Sequence, residues 1–279
     1  MSLSRWKQFF TPVKSVDPGE ARKIIREKDR DDLILLDVRQ PSEYQAGHLP
    51  GAKLIPLPQL KDRLRELDPG KTVIAYCARG GRSRTAAQIL SGEDFDEVYN
   101  LKGGFKGWDG SYAIGDAEKG LELFSGSEAP DEMLVVAYSL EKGLKDFYDS
   151  MASRIQVAEV RELFQKLSAV EINHQSRIFK EYCRVTGIST EMDKFDRETV
   201  APAMEGGISS EELLQRYGTD ISSPAEVLEM AMAIEAQALD LYSRAAEKAE
   251  DPETARVMDR IAGEEKEHLT LLGDLFEKL

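Results

Sequence analysis

Cysteine is scarce in this chain. Two in 279 residues, Cys77 and Cys183, cannot build a disulfide framework, and the count fits a reducing compartment. Long apolar runs are absent as well. The opening stretch, Met1 to Phe10, is too polar for a leader or a membrane span, so Trp6, Phe9 and Phe10 are expected to pack on a core edge and the chain to be cytoplasmic. Histidine is rarer than in most chains of this size, with three copies, and two of them fall in one repeated pattern. Basic charge is in short supply in one part only. Residues 1–112 hold 19 Lys and Arg against 16 Asp and Glu, whereas the remainder holds 18 against 35. The balance swings from +3 to −17, which places a boundary near residue 112 and argues against nucleic acid or an anionic membrane as a partner of the acidic part.

What is present is enough for two domains. Apolar residues make up 41% of the chain, so each part can bury a core. In residues 1–112, Leu33 to Val38, Lys71 to Cys77 and Glu97 to Leu101 are short, strongly apolar strand candidates. Between them Gln59 to Leu67 and Ser83 to Leu90 carry helical spacing. Strand alternating with helix predicts an α/β domain with a central parallel sheet. Residues 113–130, rich in Gly and Ser, read as a linker with one helical turn in Glu118 to Phe124. Residues 131–279 carry four long helical patterns, roughly 131–154, 157–186, 223–249 and 252–278. Pro130, Pro224 and Pro252 stand at helix starts, where a missing N–H costs nothing. The stretch 187–222, with Gly187, Pro202, Gly206, Gly207 and a short helix candidate over Ser210 to Tyr217, is the long crossover of an all-α, ferritin-like four-helix bundle.

Two constellations carry chemistry. The first is Cys77-Ala78-Arg79-Gly80-Gly81-Arg82, which follows a buried strand and precedes a helix expected to start near Ser83. A strand-to-helix turn points backbone N–H groups into a small bowl, and the helix N-terminus adds partial positive charge. Gly80 and Gly81 allow the tight curl, while Arg79 and Arg82 add full charges. Together they stabilise a thiolate, so Cys77 is expected to be an activated nucleophile with Arg82 beside it, and Ala78 to Gly81 the substrate-binding loop. An inert cysteine closing a strand is the alternative, and the flanking Gly and Arg argue against it. Asp37, Arg39, Glu43 and His48 are expected to support the loop structurally. Cys183, nine residues beyond His174, should face away from it and serve packing.

Leu36 to Arg39, Glu43, Gly47 to Ala52, Cys77 to Ser83 and Tyr99 to Trp108 occur in the order seen in the rhodanese family, which this region resembles over about a hundred residues. The resemblance implies an α/β fold and sulfane-sulfur transfer: Cys77 takes sulfur from a small anionic donor such as thiosulfate, holds it as a persulfide and passes it to a thiol or protein acceptor. Similar folds with phosphatase activity use a loop one residue longer, C-x5-R. Here Arg82 makes the loop C-x4-R, a bowl better matched to one sulfur atom than to a phosphate.

The second constellation is a duplication. Glu141, Glu171 and His174 recur as Glu235, Glu265 and His268, each 94 positions later, and Ala137/Ala231, Asp146/Asp240 and Tyr148/Tyr242 keep the same offset. Glu-x-x-His puts both side chains on one helix face. One Glu on each of two helices and a Glu-x-x-His on each of two others is the ligand set of a carboxylate-bridged dimetal site. Four carboxylates and two neutral imidazoles balance two divalent cations; without them, four carboxylates in a core would be costly. Tyr148 and Tyr242 lie close to the ligand face and serve either as hydrogen-bond donors to the ligands or as core aromatics.

This part resembles the rubrerythrin branch of the ferritin-like superfamily, which implies two iron ions, with manganese or zinc as alternatives, and redox chemistry toward peroxide or dioxygen. Two departures matter. No Cys-x-x-Cys pair occurs, so the rubredoxin-type electron-transfer module is missing and the electron donor is unknown. Position 238 is Ala where the family places an extra glutamate. The expectation is a sulfurtransferase coupled on one chain to a di-iron centre, and, on analogy with such bundles, a homodimer. Its rivals are a rhodanese enzyme with a non-catalytic iron-binding or sensing bundle, and a relay protein that passes sulfur to a dedicated partner.

Overall fold

Leu33–Asp37, Thr72–Tyr76 and Glu97–Leu101 are apolar enough to be covered on both faces, and all three are strands. In a computed structural model, which describes residues 13–123, 127–198, 213, 215 and 221–279, they form the centre of a five-stranded sheet. The strands are β1 (Lys14–Val16), β2 (Leu33–Asp37), β3 (Lys53–Leu54), β4 (Thr72–Tyr76) and β5 (Glu97–Leu101), in the order β1-β5-β4-β2-β3. Every pairing is parallel. Two short strands thus extend the three read from the sequence. Helices α1 (Pro18–Glu27), α2 (Pro41–Gln45) and α3 (Gly81–Ser91) accompany the sheet. At α1 the Asp17 side chain accepts from Glu20 N–H at 2.9 Å while the Glu20 carboxylate accepts from Asp17 N–H at 3.0 Å, a closed capping box.

Gln59 to Leu67 is not an α-helix. Two 3₁₀ turns, Leu57–Gln59 and Leu64–Glu66, take its place. Pro56 and Pro58 withhold N–H groups at the start. The spacing of Leu57, Leu60, Leu64 and Leu67, mostly three apart, suits a 3₁₀ turn as well as an α-helix, and all four pack into the same core cluster.

The chain divides into two units between Ala117 and Glu118. The second unit contains α4 (Pro130–Arg154), α5 (Ala158–Thr186), α6 (Met192–Glu198), α7 (Pro224–Lys248) and α8 (Pro252–Phe276). Ser223 caps α7 by accepting from Glu226 N–H, and Asp251 caps α8 by accepting from Glu253 and Thr254 N–H. The main pairings are α4 with α5 and α7 with α8, two helical hairpins laid together as a bundle. The helical turn expected over Glu118 to Phe124 is a 3₁₀ turn at Leu121–Leu123, and Leu121 is buried against the bundle core. Part of the crossover is helical too: Phe195 of α6 packs on Tyr138, Phe179 and Tyr182 with ring centroids 4.9, 5.3 and 4.6 Å away. The short helix expected over Ser210 to Tyr217 lies outside the described residues apart from Leu213, which is buried, and Gln215. Trp6, Phe9, Phe10, Pro202, Gly206 and Gly207 lie outside them as well.

Two apolar clusters fill the bundle. One holds residues such as Leu140, Ile178, Leu241 and Ile261, the other residues such as Leu144, Phe164, Ile234 and Leu272. On each helix the Glu and His positions of the duplication fall at the junction between the two clusters. No described helix is long and apolar enough to cross a membrane.

Candidate active site and candidate metal centre

Cys77 directly follows β4 and opens the turn into α3, with 2% of its surface exposed. Gly80 takes φ +95°, a left-handed conformation that L side chains resist, and this turns its N–H back onto Cys77 Sγ at 3.1 Å. Ser83 Oγ lies 3.5 Å from the same sulfur. Burial pushes the Cys77 thiol up, but the Ser83 hydroxyl and the backbone N–H groups of Ser83, Arg79 and Gly80 outweigh it and hold the thiol below its usual range. The loop therefore stabilises the thiolate form despite its burial. Helix α3 begins at Gly81, two residues before the start read from the sequence, so its first turn closes the bowl directly.

Arg82 flanks the sulfur but is not free. Its Nη1 and Nη2 donate to Glu43 Oε2 and Oε1, each at 2.7 Å. Glu43 Oε2 also accepts from Gln40 N–H at 3.1 Å, so one carboxylate caps α2 and grips Arg82. The Arg82 guanidinium holds the Glu43 carboxyl down at about 2, and Glu43 in turn raises the Arg82 pKa. Ala78 is half-buried and the Arg79 side chain is exposed at the mouth.

Asp37 and Arg39 form a buried pair, with Arg39 Nε and Nη2 donating to Asp37 at 2.6 to 3.0 Å and Nη2 also donating to Gly47 O at 2.6 Å. The Arg39 guanidinium stacks 4.4 Å from the Phe105 ring, and Phe105 N–H donates to Cys77 O at 2.7 Å. This pair steadies the far side of the loop without touching the sulfur. His48 stacks on Tyr44 at 3.5 Å, and its Nδ1 lies 2.9 Å from Tyr44 O.

Three contributors to the loop were not among the expected site residues. Gly104 has φ +58°, and a Cβ there would stand 2.1 Å from Cys77 O and 2.7 Å from Arg79 N, so no larger residue fits. Asn100 Oδ1 lies 2.7 Å from Ser83 Oγ, and Asn100 Nδ2 lies 3.3 Å from Ser15 Oγ. The pattern Asn-Leu-Lys-Gly-Gly after a strand was the available hint for Asn100 and Gly104; Ser15 had none.

In the bundle, Glu141, Glu171 and His174 come together in one group, and Glu235, Glu265 and His268 in another, with ligating atoms of each group within 4.8 Å of one another. All six residues are buried. The groups repeat each other closely. His174 Nδ1 stands 2.8 Å from Glu171 and 3.5 Å from Glu141; His268 Nδ1 stands 3.0 Å from Glu265 and 3.5 Å from Glu235. The two imidazoles stack with centroids 3.9 Å apart, which joins the groups.

The donor set fits a pair of cations. Among the described residues, Glu171 Oε2, His174 Nδ1 and Glu235 Oε2 are buried polar atoms with no aligned hydrogen-bond partner, although other donor atoms crowd within about 3.5 Å. In the second group His268 Nδ1 and Glu265 Oε2 share a hydrogen bond at 3.0 Å; the other lone pairs, gathered without aligned partners, are what a shared cation requires. Burial pushes the Glu235 carboxyl up, but His268 and Glu265 beside it prevail and leave it lowered; the His268 imidazole is raised against its own burial by Glu235.

The matched positions outside the donor set do not all match in role. Tyr148 and Tyr242 are both fully buried. Asp146 is 65% exposed at its side chain, whereas Asp240 is enclosed and accepts from Arg244 Nε at 2.8 Å. Ala238 is buried in the apolar cluster. Cys183 is half-buried and free.

Comparison with known proteins agrees with this division. A model of the rhodanese-like domain matches residues 17–111, and a rubrerythrin model matches residues 132–279. The chain is 51% identical over 76 residues to the YqhL protein of Bacillus subtilis, covering 27% of this chain and 60% of that protein. It is 33% identical over 85 residues to the thiosulfate sulfurtransferase GlpE of Pseudoalteromonas translucida, covering 30% of this chain and 81% of that one. Among solved structures, a rhodanese-like domain protein from Staphylococcus aureus aligns at 28% identity and a TM-score of 0.34, covering 37% of this chain and 98% of that one.

Proposed function

Because this chain belongs to the rubrerythrin family and carries a rhodanese-like domain ahead of its bundle, we propose that it is a sulfane-sulfur transferase joined to a dimetal redox protein. The observation that carries the first half is the stabilised Cys77 sulfur, held by Gly80 N–H and facing Ser83. In the first step the Cys77 thiolate attacks the outer sulfur of thiosulfate. A Cys77–sulfur bond forms, the donor S–S bond breaks, and sulfite leaves with the electron pair. In the second step a thiolate or cyanide attacks the outer sulfur of the persulfide and restores the Cys77 thiolate. Backbone N–H groups around the bowl stabilise the anionic sulfur in both states, and Arg79 at the mouth attracts the anionic donor.

In the bundle, Glu141, Glu171 and His174 would hold one cation and Glu235, Glu265 and His268 the other. When bound, two iron ions would supply electron transfer to peroxide or dioxygen. The chain's own part is to keep four carboxylates and two imidazoles desolvated between two apolar clusters, with their lone pairs gathered. Ala238 leaves the site without a fifth carboxylate, so two divalent cations would neutralise the donor set.

Two measurements test the proposal together. Anaerobically purified protein should contain close to two iron ions per chain, and it should transfer sulfur from thiosulfate to cyanide in a reaction abolished by Cys77→Ser. Metal content near zero after reconstitution with iron, manganese or zinc would remove the bundle half. Transfer that survives Cys77→Ser would remove the other.

A further inference from the structure

Ser83 stands between two acceptors with one proton to give. Its Oγ lies 3.5 Å from Cys77 Sγ and 2.7 Å from Asn100 Oδ1, and the residue is fully buried. A hydroxyl has a single O–H, so donation to Asn100 leaves the sulfur without it. Asn100 is itself 6% exposed, and its other amide atom, Nδ2, faces Ser15 Oγ at 3.3 Å. Ser15 and Asn100 are register partners on the parallel strands β1 and β5, so the contact is set by the sheet.

An amide is nearly isosteric about its own axis, and turning it over exchanges its donor and acceptor. With Asn100 reversed, Nδ2 donates to Ser83 Oγ, Oδ1 accepts from the Ser15 hydroxyl, and the Ser83 O–H turns to donate its hydrogen bond to Cys77 Sγ. Ser15 is exposed, so water takes over its hydrogen bonds in the opposite orientation. No proton is gained or lost; only the direction of the chain changes. We propose that Asn100 is a positioning residue for Cys77, acting through Ser83, and that the orientation of its amide decides whether the buried sulfur anion receives a hydroxyl hydrogen bond. The chain Ser15–Asn100–Ser83 thereby links the outer edge of the sheet to the reactive loop. The charged groups set against Cys77 are Arg82 of α3, which interacts with the sulfur directly, and, behind it, Glu43 of α2; neither is bonded to Ser15, Asn100 or Ser83 in the hydrogen bonds described above.

The inference rests on Cys77 being the reactive nucleophile, and its test reads the sulfur itself. The probe is the pH dependence of iodoacetamide alkylation of Cys77 in the full-length protein carrying Cys183→Ser. Asn100→Asp supplies an acceptor that cannot be reversed, so it holds the Ser83 O–H in a hydrogen bond away from the sulfur. Alkylation at pH 7 is expected to slow about tenfold, one unit in the inflection, and Ser83→Ala is expected to do the same. Asn100→Ala removes the competitor and leaves the sulfur as the acceptor of Ser83, so alkylation at pH 6 should become about two to three times faster. In the double variant Ser83→Ala/Asn100→Asp the shift should match Ser83→Ala alone. Additive shifts in the double variant would overturn the relay, because the carboxylate would then act by charge alone. Asn100→Ala and Asn100→Asp moving in the same direction would overturn it as a purely structural effect. A parent protein that shows these shifts yet transfers no sulfur from thiosulfate would keep the relay and discard the proposed sulfur transfer.

Discussion

The imidazoles of His174 and His268 lie within 5° of parallel, with centroids 3.9 Å apart. They come from different hairpins, α5 and α8, and each leads a group of two buried glutamates. Stacked rings so close to four carboxylates define a region of concentrated negative charge that only bound cations or protons can offset.

Metal removal is therefore expected to weaken the bundle. A ligand present at a hundred times its dissociation constant stabilises the native state by about 2.7 kcal/mol. For a unit of this size that corresponds to roughly 5–10 °C in melting temperature. Differential scanning calorimetry before and after chelation, and after iron is restored, checks the prediction; an unchanged bundle transition contradicts it.

Glu43→Gln should alter donor binding. The carboxylate that grips Arg82 at 2.7 Å cancels a positive charge beside the sulfur, and the neutral amide does not. The KM for thiosulfate is expected to fall about two- to fivefold at low salt, with the effect fading as ionic strength rises. In the parent the clamp depends on pH with a definite sign. The Glu43 carboxyl is lowered from 4.5 to about 2, so its contribution is complete above about pH 4.5 and is lost as pH falls toward 2. A KM that rises in Glu43→Gln would mean that holding Arg82 in place outweighs its charge.

Gly104→Ala should damage the loop from behind. A methyl group 2.1 Å from Cys77 O cannot be accommodated, and φ +58° adds strain of its own. The cost is expected to be about 2–5 kcal/mol for the first unit, read by urea denaturation. A loss under about 1 kcal/mol would show that the loop relaxes freely.

Arg39→Ala should be severe for another reason. It leaves Asp37, fully buried, as a carboxylate without its guanidinium partner, and it removes the cation that stacks on Phe105. Breaking such a pair from one side typically costs about 3–5 kcal/mol. Arg39→Lys should recover little, because the two-pronged geometry and the stacking both need a planar group. Thermal denaturation of the two variants side by side decides the matter.

Local chemistry in the sequence was enough to pick out the residues that the structure brings together at both candidate sites. The Cys77 turn is continuous in the chain, and the 94-residue offset marks the bundle donors. What escaped depends on distance. Strands β1 and β3 are three and two residues long and exist only through their neighbours. Asn100 and Ser15 are 85 positions apart, so neither advertises the other. Composition misled at Gln59 to Leu67, where the leucine spacing suits two kinds of helical turn. The repeat itself misled at Asp146 and Asp240: Arg244 pairs with the second aspartate, while the corresponding position in the first repeat is Ser150.

Each hairpin of the bundle supplies one whole group, α4 and α5 the first, α7 and α8 the second. Were the hairpins separate peptides, building the centre would be a second-order encounter, diluted away at low concentration. Joined in one polypeptide, the halves meet at a fixed effective molarity, so its assembly is independent of how much protein surrounds it.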